Sequence, residues 1–154
     1  MTFLLNIRSV LRASLIVGGF AATLGSVSVS AESEYEEQVR RYLDRATSIA
    51  SENGFTSTHH RQSGQLNEGG TRSVTLALDR GVEYMIVGQC DNDCSDIDMW
   101  LYDQNGNEVD SDTQADDSPI LRVTPVRSAR FRYQIRMHSC SEEPCYYGIG
   151  VFGR

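Results

Sequence analysis

From residue 73 to the C-terminus, apolar and polar residues alternate with a period of two in several short segments. The clearest segment is 129–138, in which every second residue is large and apolar: Phe131, Tyr133, Ile135 and Met137. A period of two places successive side chains on opposite faces of a strand, so each segment predicts a strand with one buried face. No helical period separates the segments, which disfavours a parallel α/β sheet.

Further segments have the same pattern or lie between turn signals. They are residues 73–78, 82–89, 96–102, 108–111, 119–125 and 145–152. Asn105-Gly106 separates two of them and is typical of a two-residue hairpin turn, because both central positions of a type I′ turn need positive φ. This series of short strands predicts a mainly β fold, an antiparallel β-sandwich over residues 73–154.

Residues 32–54 have a helical period instead, with apolar residues on one face and charged residues on the other. Ser33 and Glu36 have the spacing of a capping box, and Asn53-Gly54 is typical of a helix end. We expect this amphipathic N-terminal helix to pack on the body of the domain; a helix that binds a partner is the alternative. Residues 55–72 are polar and glycine-rich, and we interpret them as a linker or loop.

Residues 1–31 have the layout of a secretory signal peptide. Arg8 and Arg12 precede an apolar run, and Ala31 ends a small-residue motif typical of a signal peptidase site. The run is short for a membrane span, although a retained anchor is the alternative. We predict a secreted or periplasmic protein that does not associate with membrane after cleavage. Loss of the two arginines changes the formal charge from −7 to −9, which disfavours nucleic acid as a partner.

The four cysteines form two close pairs, Cys90 with Cys94 and Cys140 with Cys145. In an exported chain an even number of cysteines predicts disulfides. Of the three possible connectivities we favour the two local bridges, since three or four intervening residues suit a hairpin loop. Zinc is the competing interpretation, but neither pair is C-x₂-C and no histidine pair at the required spacing follows.

Several motifs occur in a fixed order: DIDMWLYD at residues 96–103, then Asn105-Gly106-Asn107, then Asp116 with Pro119, then the aromatic strand at 131–137. This succession is similar to that of the bacterial pre-peptidase C-terminal domain family. The similarity covers about residues 70–153, and the cysteine pairs are additions to the pattern. It implies a jelly-roll-like sandwich that accompanies exported enzymes and has no catalysis of its own. Similar collagen-binding modules of secreted proteases bind calcium.

The sequence lacks a convincing catalytic constellation. There is no G-x-S-x-G nucleophile motif, and His138 is expected to be a surface residue. We therefore predict a non-catalytic module that acts in binding or scaffolding. One alternative is a carbohydrate- or protein-binding accessory module of a secreted hydrolase system. A small hydrolase that uses paired carboxylates is another, but the abundance of acids does not establish the geometry that it needs.

Three aromatic residues are candidates for ligand binding: Trp100, Tyr102 and Tyr146. The alternation places them on the outer faces of their strands, where an aromatic ring can stack on a sugar or a peptide. Ordinary cross-strand packing is the alternative. The expected partner is an extracellular polysaccharide or protein, and the sequence leaves the oligomeric state open.

Acidic and basic residues are segregated. Residues 81–121 contain eleven carboxylates and no arginine, whereas residues 122–136 contain five arginines and no acid. Asp96 and Asp98 would explain part of this pattern if they form cross-strand ion pairs with the arginines of residues 130–136.

The loop carboxylates need another explanation. They are Asp110, Asp112, Asp116 and Asp117. Like charges this close in sequence repel unless they are solvated, spread apart or neutralised. Because calcium takes six to eight oxygen ligands in flexible geometry, we predict weak calcium binding here; a solvated acidic loop is the alternative. Melting curves in calcium and in chelator test this prediction, and coincident curves would rule it out.

Overall fold

The computed structural model describes residues 33–154. The signal peptide predicted for residues 1–31 lies outside these described residues. Within them, one N-terminal helix is followed by nine strands, which form two antiparallel sheets packed as a β-sandwich. The predicted fold class is therefore confirmed. No helix in residues 33–154 is long and apolar enough to cross a membrane.

The helix, α1, spans Glu34–Glu52. The strands are β1 Thr56–Ser57, β2 Gln62–Leu66, β3 Thr71–Leu78, β4 Tyr84–Cys90, β5 Cys94–Tyr102, β6 Glu108–Asp112, β7 Ile120–Val123, β8 Ala129–Cys140 and β9 Cys145–Gly153. The five-stranded sheet has the order β1-β9-β4-β7, with β2 also paired to β9, and the four-stranded sheet has the order β3-β8-β5-β6. The strands predicted from the sequence correspond to β3 through β9.

The core lies between the two sheets. Every second residue of β5, β8 and β9 points into it, as the alternation predicts. These inward residues are Ile97, Met99 and Leu101 of β5, Phe131, Tyr133, Ile135 and Met137 of β8, and Tyr147, Ile149 and Val151 of β9. The side chains between them on β5 and β8 therefore point to the outer face of the four-stranded sheet.

The ends of α1 are those that the sequence predicts. Ser33 Oγ accepts a hydrogen bond from the Glu36 backbone N–H, and the Glu36 carboxylate accepts one from the Ser33 N–H, both at 3.1 Å. This reciprocal pair satisfies two N–H groups at the start of the helix. Asn53 is the C-cap, and Gly54 follows with φ +81°, which glycine adopts without steric cost.

The helix packs on the outer face of the five-stranded sheet, mainly on β9. Val39 and Leu43 lie directly over Gly148. A Cβ atom at Gly148 would lie 2.6 Å from Val39 Cγ1 and 2.7 Å from Leu43 Cδ1. The missing side chain therefore allows the helix to approach the strand closely, and the predicted packing of the helix on the domain body is confirmed.

The interpretation of residues 55–72 as a linker or loop was wrong in part. This segment contains β1 and β2, both paired antiparallel with β9. Their side chains are largely exposed because the strands lie at the edge of the sheet. Pairing at an edge uses backbone N–H and C=O groups, which any residue except proline supplies, so no apolar period marks these strands in the sequence.

Candidate functional site

The outer face of the four-stranded sheet is the candidate site. The helix packs on β9, β4 and β1, all of which belong to the other sheet. Among the residues that the structure describes, no element therefore covers the outward side chains of β5 and β8. Trp100 and Tyr102 lie on this face and are partly exposed.

Trp100 is flanked by uncharged polar side chains. Its register partners are Gln134 of β8 and Ser111 of β6, and Gln134 is in turn opposite Ser73 of β3. These four residues form one row across the sheet. The row therefore combines one aromatic ring with amide and hydroxyl groups that can donate and accept hydrogen bonds.

Tyr102 belongs to the next row and contacts Arg132. The Arg132 guanidinium carbon lies 4.3 Å from the centroid of the Tyr102 ring, a cation–π contact. Arg132 Nη1 also donates to Ser73 Oγ at 3.3 Å and to Gln134 Oε1 at 3.4 Å. These contacts hold the guanidinium in one position between the two rows.

Tyr146 lies on the other side of the molecule. It belongs to β9 and stacks on Tyr35 of α1, with ring centroids 6.0 Å apart and an angle of 11° between the ring planes. The structure thus brings Trp100 and Tyr102 onto one face but separates both from Tyr146. The sequence did not reveal this, because alternation does not tell which sheet a strand joins.

Asp96 and Asp98 lie at the other end of the open face, and the ring nitrogens of His138 lie close to both. Although Asp98 is opposite Arg136 in the ladder, it is His138 Nδ1 that lies 3.3 Å from Asp98 Oδ2. His138 Nε2 lies 4.0 Å from Asp96 Oδ2. The expected pairing with arginine is therefore replaced by pairing with a histidine whose side chain is half exposed.

The Asp96 carboxyl group is in an unfavourable environment for its charged form. Its Oδ1 atom is buried and has no hydrogen-bond partner. Burial and the neighbouring charge of Asp98 raise the pKa of Asp96, whereas His138 opposes this shift.

Two of the predicted calcium ligands, Asp110 and Asp112, accept hydrogen bonds that join the sheets. Asp110 Oδ2 accepts a hydrogen bond from the Arg122 backbone N–H at 2.6 Å. Asp112 Oδ2 accepts one from the Ile120 N–H at 2.9 Å. β6 and β7 are edge strands of different sheets. The two carboxylates therefore satisfy backbone groups on the free edge of β7 and close the sandwich on that side.

The other two predicted ligands do not complete a metal site with them. Asp116 Oδ1 accepts a hydrogen bond from the Ser118 N–H at 2.9 Å, and Asp117 is exposed. Across residues 33–154, no group of three or more His, Cys, Asp or Glu side chains is placed to hold a metal ion. Calcium binding by this loop stays a prediction, to be tested by the melting curves described above.

Both predicted local disulfides are formed, Cys90 with Cys94 and Cys140 with Cys145. Cys94 is opposite Cys140 in the β5–β8 ladder, so the two disulfide loops lie side by side at one end of the sandwich. This pairing uses every cysteine of residues 33–154 and replaces the alternative of a zinc site.

Asp91 connects the two disulfide loops and was not singled out by sequence reasoning. It is only 1% exposed. Its Oδ1 accepts from the Cys94 N–H at 3.2 Å, and its Oδ2 accepts from the Tyr146 N–H at 2.7 Å. Burial raises the pKa of Asp91, although these backbone hydrogen bonds oppose the shift.

No model of a known protein family matches the chain, and a search of curated proteins finds no match. The resemblance to the pre-peptidase C-terminal domain family therefore stays a prediction. The candidate site rests on the geometry of the sheet face alone.

We expect Asp91→Asn to lower the free energy of unfolding by about 1–3 kcal/mol in acid, because both oxygens of the neutral carboxyl group can still accept hydrogen bonds, whereas the amide NH2 group cannot and leaves a buried N–H unpaired. A carboxyl group whose folded-state pKa is raised contributes its stability below the unfolded value, about 3.9, and loses it as the pH rises through the folded value. The difference between wild type and variant should therefore shrink from about pH 4 to about pH 8.

Denaturant titrations at both pH values measure this difference. Asp117→Asn is the matched control, since that carboxylate is exposed, and it should leave stability nearly unchanged. A difference for Asp91→Asn that grows with pH would contradict the assignment.

Proposed function

We propose that this chain is a secreted or periplasmic, non-catalytic module that binds polysaccharide on the outer face of its four-stranded sheet. One observation carries the proposal: Trp100 and Tyr102 lie on a sheet face that the helix leaves uncovered, and the Arg132 guanidinium packs on the Tyr102 ring. Two disulfides support an oxidising compartment outside the cytoplasm.

A sugar is the ligand class that best suits this face. A pyranose ring has an apolar face of C–H groups and a rim of hydroxyl groups, so its recognition needs an aromatic plane with polar groups beside it. The row through Trp100 supplies this combination with Gln134 and Ser111. An open sheet face also leaves room for several sugar units of a polysaccharide, whereas a closed cavity does not.

The hydrogen bonds that several carboxylates accept within the fold support a role without catalysis. Asp91, Asp110 and Asp112 accept hydrogen bonds from backbone N–H groups. Hydrogen bonds from Asn107 hold the pKa of Asp103 below its usual value. These groups stabilise the fold, so they are poorly suited to act as a pair of general acid and base. An accessory module of an exported enzyme is a narrower form of the same proposal.

Trp100→Ala tests the proposal. Binding of the oxidised protein to a panel of insoluble polysaccharides, measured by depletion from solution, should weaken by about tenfold or more, which corresponds to about 1.4 kcal/mol. The reason is the loss of the aromatic surface on which the sugar ring stacks. Tyr102→Ala should weaken binding as well, because it also removes the ring that supports Arg132.

Tyr146→Ala is the matched control, since it removes an aromatic ring from the opposite side of the sandwich, and it should bind like wild type. Melting curves establish that each variant is folded. Full binding by a folded Trp100→Ala variant, or no binding of wild type to any polysaccharide in the panel, would refute the proposal.

A further inference from the structure

β3 is a long edge strand with less protection than the edge strands β6 and β7. The free edge of β7 is occupied by the carboxylates of Asp110 and Asp112, and β6 itself is short and acidic. β3 is eight residues long, contains no proline and no acid, and has a single charged residue, Arg72. Proteins commonly guard long edges with lysine, proline or inward charges, and this chain has no lysine at all.

The backbone of β3 offers hydrogen-bonding groups on its open side. The Ala77 carbonyl oxygen lies 3.1 Å from His59 Nε2, so this carbonyl points away from β8. Because the direction of backbone hydrogen bonding alternates with a period of two in an antiparallel pair, Thr71, Ser73 and Thr75 also direct N–H and C=O outwards. Within residues 33–154, β3 pairs only with β8.

Three arginines lie along the outer face of β8, the strand next to this edge. The register pairs are Arg130 with Ala77, Arg132 with Thr75, and Arg136 with Thr71. The β3 partners are small and exposed, so the long arginine side chains can extend across them. Arg132 already does so, since its Nη1 reaches Ser73 Oγ. Among the described residues, Arg130 and Arg136 form no ion pair within 4.0 Å, although the charge of Arg136 also acts on the Asp96 carboxyl group.

We propose that the open edge of β3 binds an extended acidic peptide, which adds to the four-stranded sheet as a further strand. The outward groups of Thr71, Ser73 and Thr75 provide the main-chain hydrogen bonds of such an addition. Alternate side chains of the added strand lie on the outer face of the sheet. Carboxylates at these positions are within reach of the β8 arginines.

Charge distinguishes this partner from a second copy of the chain. Pairing of two β3 edges would bring a second set of the same arginines to the interface, and like charges across neighbouring strands are destabilising. The carboxylates of an acidic strand instead neutralise the arginines of β8. The edge adjoins the proposed sugar site, since Ser73 and Arg132 lie on the same outer face as Trp100, but β8 separates β3 from Trp100 on β5.

A fluorescein-labelled peptide of alternating aspartate and threonine, titrated with the oxidised protein at low salt, tests the proposal by anisotropy. The acidic peptide should bind, and the same peptide with lysine in place of aspartate should not. A version N-methylated at alternate amides should bind about tenfold or more weakly, because strand addition needs those N–H groups.

Two variants of the protein locate the site. Thr75→Pro removes one outward N–H without removing a bond to β8, and it should weaken binding about tenfold. Arg130→Gln combined with Arg136→Gln removes charge from exposed positions, keeps the fold even if the proline variant does not fold, and should weaken binding to a similar extent. Arg45→Gln, on the helix, and Trp100→Ala are controls that should bind like wild type.

Four results would overturn the proposal. Equal binding of the N-methylated peptide would show that no strand is added. Equal binding by the double glutamine variant, or failure of the acidic peptide to bind at all, would show that the arginines do not recognise it. A dimer in analytical ultracentrifugation that Thr75→Pro abolishes would show that a second copy occupies the edge.

Discussion

The structure depends on β9 being covered on both faces. Its inward side chains, Tyr147, Ile149 and Val151, fill the space between the sheets. On the other face Gly148 presents no side chain, so Val39 and Leu43 of the helix rest on its backbone. Because the helix thereby occupies the outer face of the five-stranded sheet, the face that remains open belongs to the four-stranded sheet. The position of the candidate site follows from this packing.

The two sides of the sandwich are closed to different degrees. On one side, Asp110 and Asp112 bind the backbone of β7 and join the two sheets. On the other side, β3 has a long edge with outward-facing backbone groups, and arginines lie on the neighbouring strand β8. Carboxylates that look like a cation site in the sequence thus protect one edge, whereas the opposite edge is left free to pair.

The sequence predicts those features that depend on local spacing. Strand alternation, the Ser33–Glu36 cap and both disulfides were predicted because each depends on residues close in sequence. The edge strands β1 and β2 were not, since exposed edges carry no apolar period. The expected pairing with arginines fails because the β5–β8 register places Arg132 opposite Tyr102, while His138 lies close to both Asp96 and Asp98. The acceptor roles of Asp110 and Asp112 depend on how the chain turns over residues 113–119 to bring β7 beside β6, which the alternation of residues does not encode.

Hydrogen exchange of individual backbone amides tests most directly whether the sandwich is closed at one edge and open at the other. Exchange slows where an amide is hydrogen-bonded in the native state. The amides of Ile120 and Arg122 should exchange slowly although they face away from β4 on an edge strand, and those of Ser73 and Thr75 should exchange fast. Fast exchange at Ile120 and Arg122 together with protection at Ser73 and Thr75 would contradict the account.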